Sequence, residues 1–162
     1  MPTPTYTPLA NITLGAAATG ISFASIPSSY RDLIIVVQAK ADSATQQVRV
    51  TINSDSSNIY SRQRMSSTGS AVSAATLTST QFQFTSDAQV GTSDGYQGRF
   101  HFFDYSLTNK HKTVLARSDN ASLGTDAFSG RWASTDAINS IQVYAAGNYA
   151  IGSTFALYGI VA

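Results

Sequence analysis

Not one of the 162 residues is glutamate, and all nine acidic residues are aspartate. That absence constrains the fold more than any motif. Glutamate supplies the Ser/Thr-x-x-Glu capping box and the i,i+4 pairs with lysine that hold solvent-exposed helices together. Serine (23), threonine (18) and alanine (22) instead make up well over a third of the chain, and charged residues only 12%. Helices are poorly served by this mixture, so the expectation is an all-β fold. The length fits one domain, in which about two-thirds of the unfolded surface can be buried.

Turn signals divide the chain into short alternating runs, which we read as strands near 10–14, 20–26, 31–41, 46–53, 58–67, 71–78, 80–86, 96–107, 111–119, 127–133, 138–146 and 153–161. Residues 42–47, 54–57, 66–75, 86–95 and 119–126 are small and polar and read as loops. Val48, Val50 and Ile52 alternate with Arg49, Thr51 and Asn53, the pattern of a half-buried antiparallel strand. Leu33-Ile34-Ile35-Val36-Val37 is continuously apolar and predicts a central strand. Between Arg99 and Leu107 the apolar parity slips after Phe102, which predicts a β-bulge or a strand crossing between sheets. The architecture that follows is an antiparallel β-sandwich, jelly-roll-like, with Leu33, Ile35, Val37, Val48, Val50, Ile52, Phe82, Phe84, Phe100 and Phe102 in its core. Residues 1–9, in which proline alternates with threonine, read as an extended N-terminal arm, and residues 10–162 as a single sandwich domain.

The C-terminus reads as a closing hairpin, Ala137–Tyr144 and Phe155–Ile160 around Gly147-Asn148. In its last segment Phe155 and Leu157 share one face while Tyr158 and Ile160 share the other, so both faces are apolar. A terminal strand of this kind needs burial on both sides, which predicts self-association, with a trimer favoured. The expected contact residues are Pro4, Tyr6 and Pro8 of the arm and Tyr158 and Ile160 of the last strand.

Chemistry-bearing residues are few. A net charge of +1 gives no field that would argue for nucleic acid or an acidic membrane surface, and no run approaches the ~20 apolar residues of a membrane helix. There is no cysteine. His101 and His111 are the only histidines, with Asp104 near the first, and no Gly-x-Ser-x-Gly elbow accompanies them. Asn53-Ser54-Asp55-Ser56-Ser57-Asn58 offers oxygens at alternate positions, as a calcium loop would, but it lacks the bend glycine, and Arg64 stands where the bidentate acid belongs. The reading is a protein that is not an enzyme and carries neither metal nor cofactor. Arg62 and Arg64, on the face of the strand that carries Tyr60, are candidate surface contacts. Tyr60, Tyr96, Tyr105, Tyr144, Tyr149 and Trp132 are candidates for a sugar-stacking surface.

Several stretches carry a family resemblance: Trp132-Ala133-Ser134-Thr135-Asp136-Ala137-Ile138-Asn139-Ser140-Ile141, then Gly152-Ser153-Thr154-Phe155-Ala156-Leu157-Tyr158-Gly159-Ile160, with Ile26–Leu33 near the start and Asn53–Ser61 between. Together they resemble a domain that recurs in structural proteins of tailed bacteriophages. Ser54 stands where that family often has glycine. The resemblance implies a virion protein assembled in the host cytoplasm: a head decoration or cement subunit that binds the major capsid protein and itself, or else a tail or fibre module that binds a host-surface carbohydrate. The absence of heptads, β-helical repeats or a stalk favours the decoration subunit.

Overall fold

The fold is that of a computed structural model, which describes residues 5–161. Twelve strands run β1 (Tyr6–Thr13), β2 (Ala18–Phe23), β3 (Asp32–Ala39), β4 (Arg49–Ile52), β5 (Tyr60–Ser67), β6 (Val72–Ser79), β7 (Phe82–Gln83), β8 (Tyr96–Phe103), β9 (Lys112–Asn120), β10 (Gly124–Trp132), β11 (Ile141–Tyr149) and β12 (Thr154–Ile160). They form an eight-stranded sheet in the order β1-β12-β3-β8-β9-β10-β5-β6 and a four-stranded sheet in the order β2-β11-β4-β7. Every ladder is antiparallel. The molecule is therefore the antiparallel β-sandwich that the alternation predicts.

The pairs β1 with β12, β2 with β11, β3 with β8 and β4 with β7 nest inside one another. This is the connectivity of one long hairpin rolled into two sheets, the jelly roll. The hairpins β5–β6 and β9–β10 are inserted into that plan, and both extend the same sheet beyond the jelly-roll strands.

All ten residues expected in the core are buried. In β3, Leu33, Ile34 and Ile35 are all buried, as a central strand requires. Phe84 packs on Phe82, Phe100 and Phe128 with ring centroids 5.1, 4.7 and 5.9 Å apart, and Tyr60 meets Phe82 at 5.0 Å. The aromatic stack thus joins the small sheet to both inserted hairpins. Beyond β7 the chain seals the inner side of β9 and β10: Thr85, Ala88 and Val90 are fully buried, and Ser118 Oγ donates to the Phe84 carbonyl at 3.1 Å.

Four expectations need correction. Residues 6–9 belong to the edge strand β1, paired with β12, and not to a free arm; residues 1–4 lie outside the described residues. The C-terminal hairpin does not form, because β11 lies in the small sheet and β12 in the large one, so the turn at 150–153 carries the chain between sheets. Gly147 and Asn148 fall inside β11, where the register with β2 shifts. At Phe102-Phe103 there is neither bulge nor crossing: β8 keeps register to Phe103, then Asp104 turns at φ 46° and swings Tyr105 into the core. The loops expected at 66–75 and 119–126 shrink to short turns, because β5–β6 and β9–β10 are tight hairpins.

Gly130 shows how closely the inserted hairpin packs. A Cβ there would stand 2.7 Å from the Phe82 ring and 2.8 Å from Val114. Gly130→Ala should therefore lower stability by about 1–3 kcal/mol, read as a lower urea midpoint at unchanged m-value.

Candidate functional site

The register of the large sheet assembles one surface from residues far apart in sequence. Tyr6 lies opposite Ile160 and Pro8 opposite Tyr158 across β1 and β12, with all four on the sheet's outer face. Of the contact residues expected from sequence, the structure thus brings these four together, while Pro4 lies outside the described residues. Tyr6 is 48% exposed, and Tyr158 and Ile160 are half-buried. The ladder continues from Tyr158 to Ile34 on β3 and His101 on β8.

Beside this patch runs a groove of about 700 Å³, lined by Tyr6, Ile34, Val36, Arg99, Arg117 and Tyr158 among others. Arg99 and Arg117 sit directly opposite one another on β8 and β9, an arrangement of like charges that costs stability unless something offsets it. Neither forms an ion pair among the described residues. Arg99 Nη2 instead donates to the Tyr6 hydroxyl at 3.2 Å, reaching across the sheet and roofing one end of the groove. The groove's chemistry is aliphatic at its floor, phenolic at one side and charged at the other, where Asp119 joins the two arginines.

β12 itself is no edge. It lies between β1 and β3, so the last strand offers no free edge to a neighbouring copy. Arg62 and Arg64 are not surface contacts either, because the face they share with Tyr60 points into the sandwich. Arg62 is 8% exposed, with its guanidinium 5.5 Å from the centroid of the Phe128 ring, and Arg64 donates to the Ser86 hydroxyl. Desolvation, followed by the neighbouring Arg64 charge, brings the Arg62 pKa down to about 10. The sugar-stacking set fails on burial: Tyr60, Tyr96, Tyr105, Tyr149 and Trp132 are core residues, and Tyr144 bonds Gln81 through its hydroxyl.

His101 and Asp104 do not touch. His101 Nε2 lies 3.2 Å from Asp32 Oδ2, and its ring stacks on Phe103 with centroids 4.0 Å apart. Asp32 also accepts from the Asp104 amide at 2.8 Å. Asp104 receives Lys110 at 2.9 Å, and the side-chain bond from Lys110 lowers its pKa. Each polar group in this cluster closes the turn after β8.

The stretches 53–61, 132–141 and 152–160 do structural work. Asn53 and Ser54 turn at φ 51° and 57°, which is why glycine would be at home at 54. Asn53 accepts from the amides of Asn139 and Ser140 at 2.9 and 3.1 Å and donates to the Ala137 carbonyl at 2.8 Å. Trp132 Nε1 donates to Asp55 Oδ2 at 2.7 Å, and Tyr60 donates to the Asp55 carbonyl at 2.9 Å. Lys112 reaches the Thr135 carbonyl at 3.1 Å. The segment 133–140 that crosses from the large sheet to the small one is thereby tied to the turn at 53–55. Two of the oxygen-bearing side chains of the supposed calcium loop, Asn53 and Asp55, are occupied by these bonds. Gly159 leaves room for Tyr30, whose ring fills the space that a side chain would take.

Sequence reasoning did not single out Arg99 and Arg117 as a pair, or Ile34 and Val36 as the floor. Only the register of β3, β8 and β9 makes them neighbours. No family model matches the chain, and no curated protein matches it.

Two carboxylates test the local chemistry. Asp126 is fully buried and accepts from the amides of Ser86 (2.7 Å), Asp87 (3.2 Å) and Ala88 (3.0 Å). Asp126→Ala would orphan those donors and should cost about 3 kcal/mol, read as a drop in unfolding free energy. At Asp55 burial would raise the pKa, but the bonds from Ser57 and Trp132 outweigh it and hold the carboxyl below its ordinary value of 3.8. A depressed pKa contributes stability that is complete above 3.8 and lost as pH falls through the folded value. Asp55→Asn should therefore flatten the acid limb of the stability–pH curve relative to the unaltered chain.

Proposed function

We propose that this protein is a non-enzymatic structural subunit of a tailed-bacteriophage virion, seated on the head as a decoration or cement subunit that binds the capsid lattice and associates with itself. The observation that carries the reading is the outer-face patch of Tyr6, Pro8, Tyr158 and Ile160 on a rigid, hydroxyl-rich sheet. An aromatic and apolar cluster of this kind on an otherwise neutral protein suits a protein surface. Supporting it, most of the aromatic side chains and the buried carboxylate Asp126 serve the fold, and His101 and Asp104 serve a turn. The resemblance of the 26–33, 53–61, 132–141 and 152–160 stretches points to the same class.

A second reading is favoured by the groove alone: a tail or fibre module in which Tyr6 and Tyr158 stack on a host-surface saccharide and the Arg99–Arg117 pair meets its acidic groups. Both readings place the contact on the same face, and both leave the protein without turnover.

Purified chain mixed with heads assembled without it should cosediment and saturate in proportion to the capsid lattice. Tyr158→Ser should weaken that binding about ten-fold or more while leaving the melting temperature nearly unchanged. A chain that ignores heads but binds acidic polysaccharide, with binding lost in Arg117→Ala, belongs to the second reading. His101→Ala and Asp104→Asn should alter stability alone. Hydrolysis of a polysaccharide or ester by the intact chain, abolished in either variant, would overturn the non-enzymatic assignment.

A further inference from the structure

The large sheet ends in β1 and β6, and the small one in β2 and β7. Three of these edges are limited. β1 carries Pro8 and a register shift between Pro8 and Ala10, which spoil it as a template. β7 is two residues long. β2 is interrupted by a register shift against β11 between Tyr144 and Tyr149. β6 is different: it is eight residues long, seven of them are exposed and the last is half-buried, and no proline, charge or register shift interrupts it.

The exposure has a structural cause. β6 extends past the small sheet, so among the described residues no strand lies opposite its inner-face residues Ser73, Ala75 and Leu77. Val72, at 77%, and Leu77, at 44%, are among the most exposed large apolar side chains of the protein. From Met65 through Ser86 there is no charged residue at all. Natural edge strands of this length are normally blunted by lysine, proline or a bulge. Here all three are missing from β6, whereas the opposite edge β1 carries a proline and a register shift.

We propose that β6 is a self-association edge: two copies pair their β6 strands antiparallel across a two-fold axis and fuse their eight-stranded sheets into one. The neutrality of the segment selects a second copy, since identical uncharged strands meet without like-charge repulsion. The nearest cations, Arg62 and Arg64, lie one strand further in on β5. Three strand spacings of ~4.8 Å would separate them from their counterparts, beyond the ~10 Å screening length.

Geometry restricts the register. Residues directly opposite in an antiparallel pair share a face, so the axis passes through a residue and not between two. Centring on Ala75 or on Thr76 gives the longest overlap within β6. The first choice sets Val72 opposite Thr78, Ser73 opposite Leu77 and Ala74 opposite Thr76. The second sets Ala75 opposite Leu77 and Ala74 opposite Thr78. In either register a small side chain faces a larger one in most pairs, and Leu77 gains cover on the overhanging face. The inference deepens the self-association part of the proposed role and gives it two-fold symmetry; it does not depend on attachment to a head.

The test uses the intact chain in solution. Sedimentation equilibrium should return twice the mass of the chain. Thr76→Lys should weaken the dimer at least ten-fold, with far-UV circular dichroism and melting temperature unchanged, and mixing it with Thr76→Glu should restore a one-to-one heterodimer. Because the protein has no cysteine, an introduced one reports the axis directly. Ala75→Cys or Thr76→Cys should form a disulfide-linked dimer on mild oxidation, faster than the exposed β9 variant Thr113→Cys. An intact chain that stays monomeric at millimolar concentration, or a Thr76→Lys variant that dimerises as well as the parent, overturns the proposal. Head binding by Thr76→Lys is scored separately, so loss of the two-fold contact and loss of lattice attachment are distinguishable.

Discussion

Burial of the Phe82–Phe84–Phe100–Phe128 stack is the interaction on which the rest of the molecule depends. The jelly-roll pairs alone would close a symmetric sandwich, but two inserted hairpins make one sheet twice as wide as the other. Something must cover the inner side of the added strands. Phe82 and Phe84, followed by the buried segment through Val90, provide that cover for β9, β10 and β5, and Asp126 fixes the segment by accepting three of its amides. The cover stops at β5. β6 is consequently the strand with nothing beneath it, and its exposure follows from the same packing that stabilises its neighbours.

This division also explains where association chemistry can reside. Inner-face aromatics are committed to the core, where each fully buried large side chain contributes on the order of 1.5–3 kcal/mol. The outer face of the wide sheet keeps the aromatic and apolar side chains that the core does not use, Tyr6, Tyr158 and Ile160, beside Arg99 and Arg117, which form no ion pair among the described residues. A neutral, serine- and threonine-rich surface surrounds them. On such a background a small patch is a recognisable feature, and the open β6 edge is a second one of a different kind, read by backbone hydrogen bonds. The two are carried by opposite ends of the same sheet, so a subunit can use one for a partner and the other for itself.

The stretches around Trp132 and Asn53 are structural joints. The Trp132–Ile141 stretch is the crossing between sheets, and Asn53 and Asp55 are the groups that hold it. Polar residues in a turn invite a metal reading because oxygen ligands and capping groups have the same composition. Which of the two is present depends on whether a buried donor is close enough to use the oxygens, and Trp132 is.

Period-two alternation is a local property, so most strand positions and the ten core residues could be read from the sequence alone, as could the lack of helix from the missing glutamate. Sheet membership, by contrast, is decided by pairing between residues far apart in the chain, such as Tyr6 with Ile160. Local pattern therefore misread β11 and β12 as a hairpin and placed Arg62 and Arg64 outside. It had no means of seeing that Arg99 faces Arg117 or that β6 overhangs. The chain's composition determined what it could build. The order of strands, set by which hydrophobic faces could be covered together, decided which surfaces were left for other molecules.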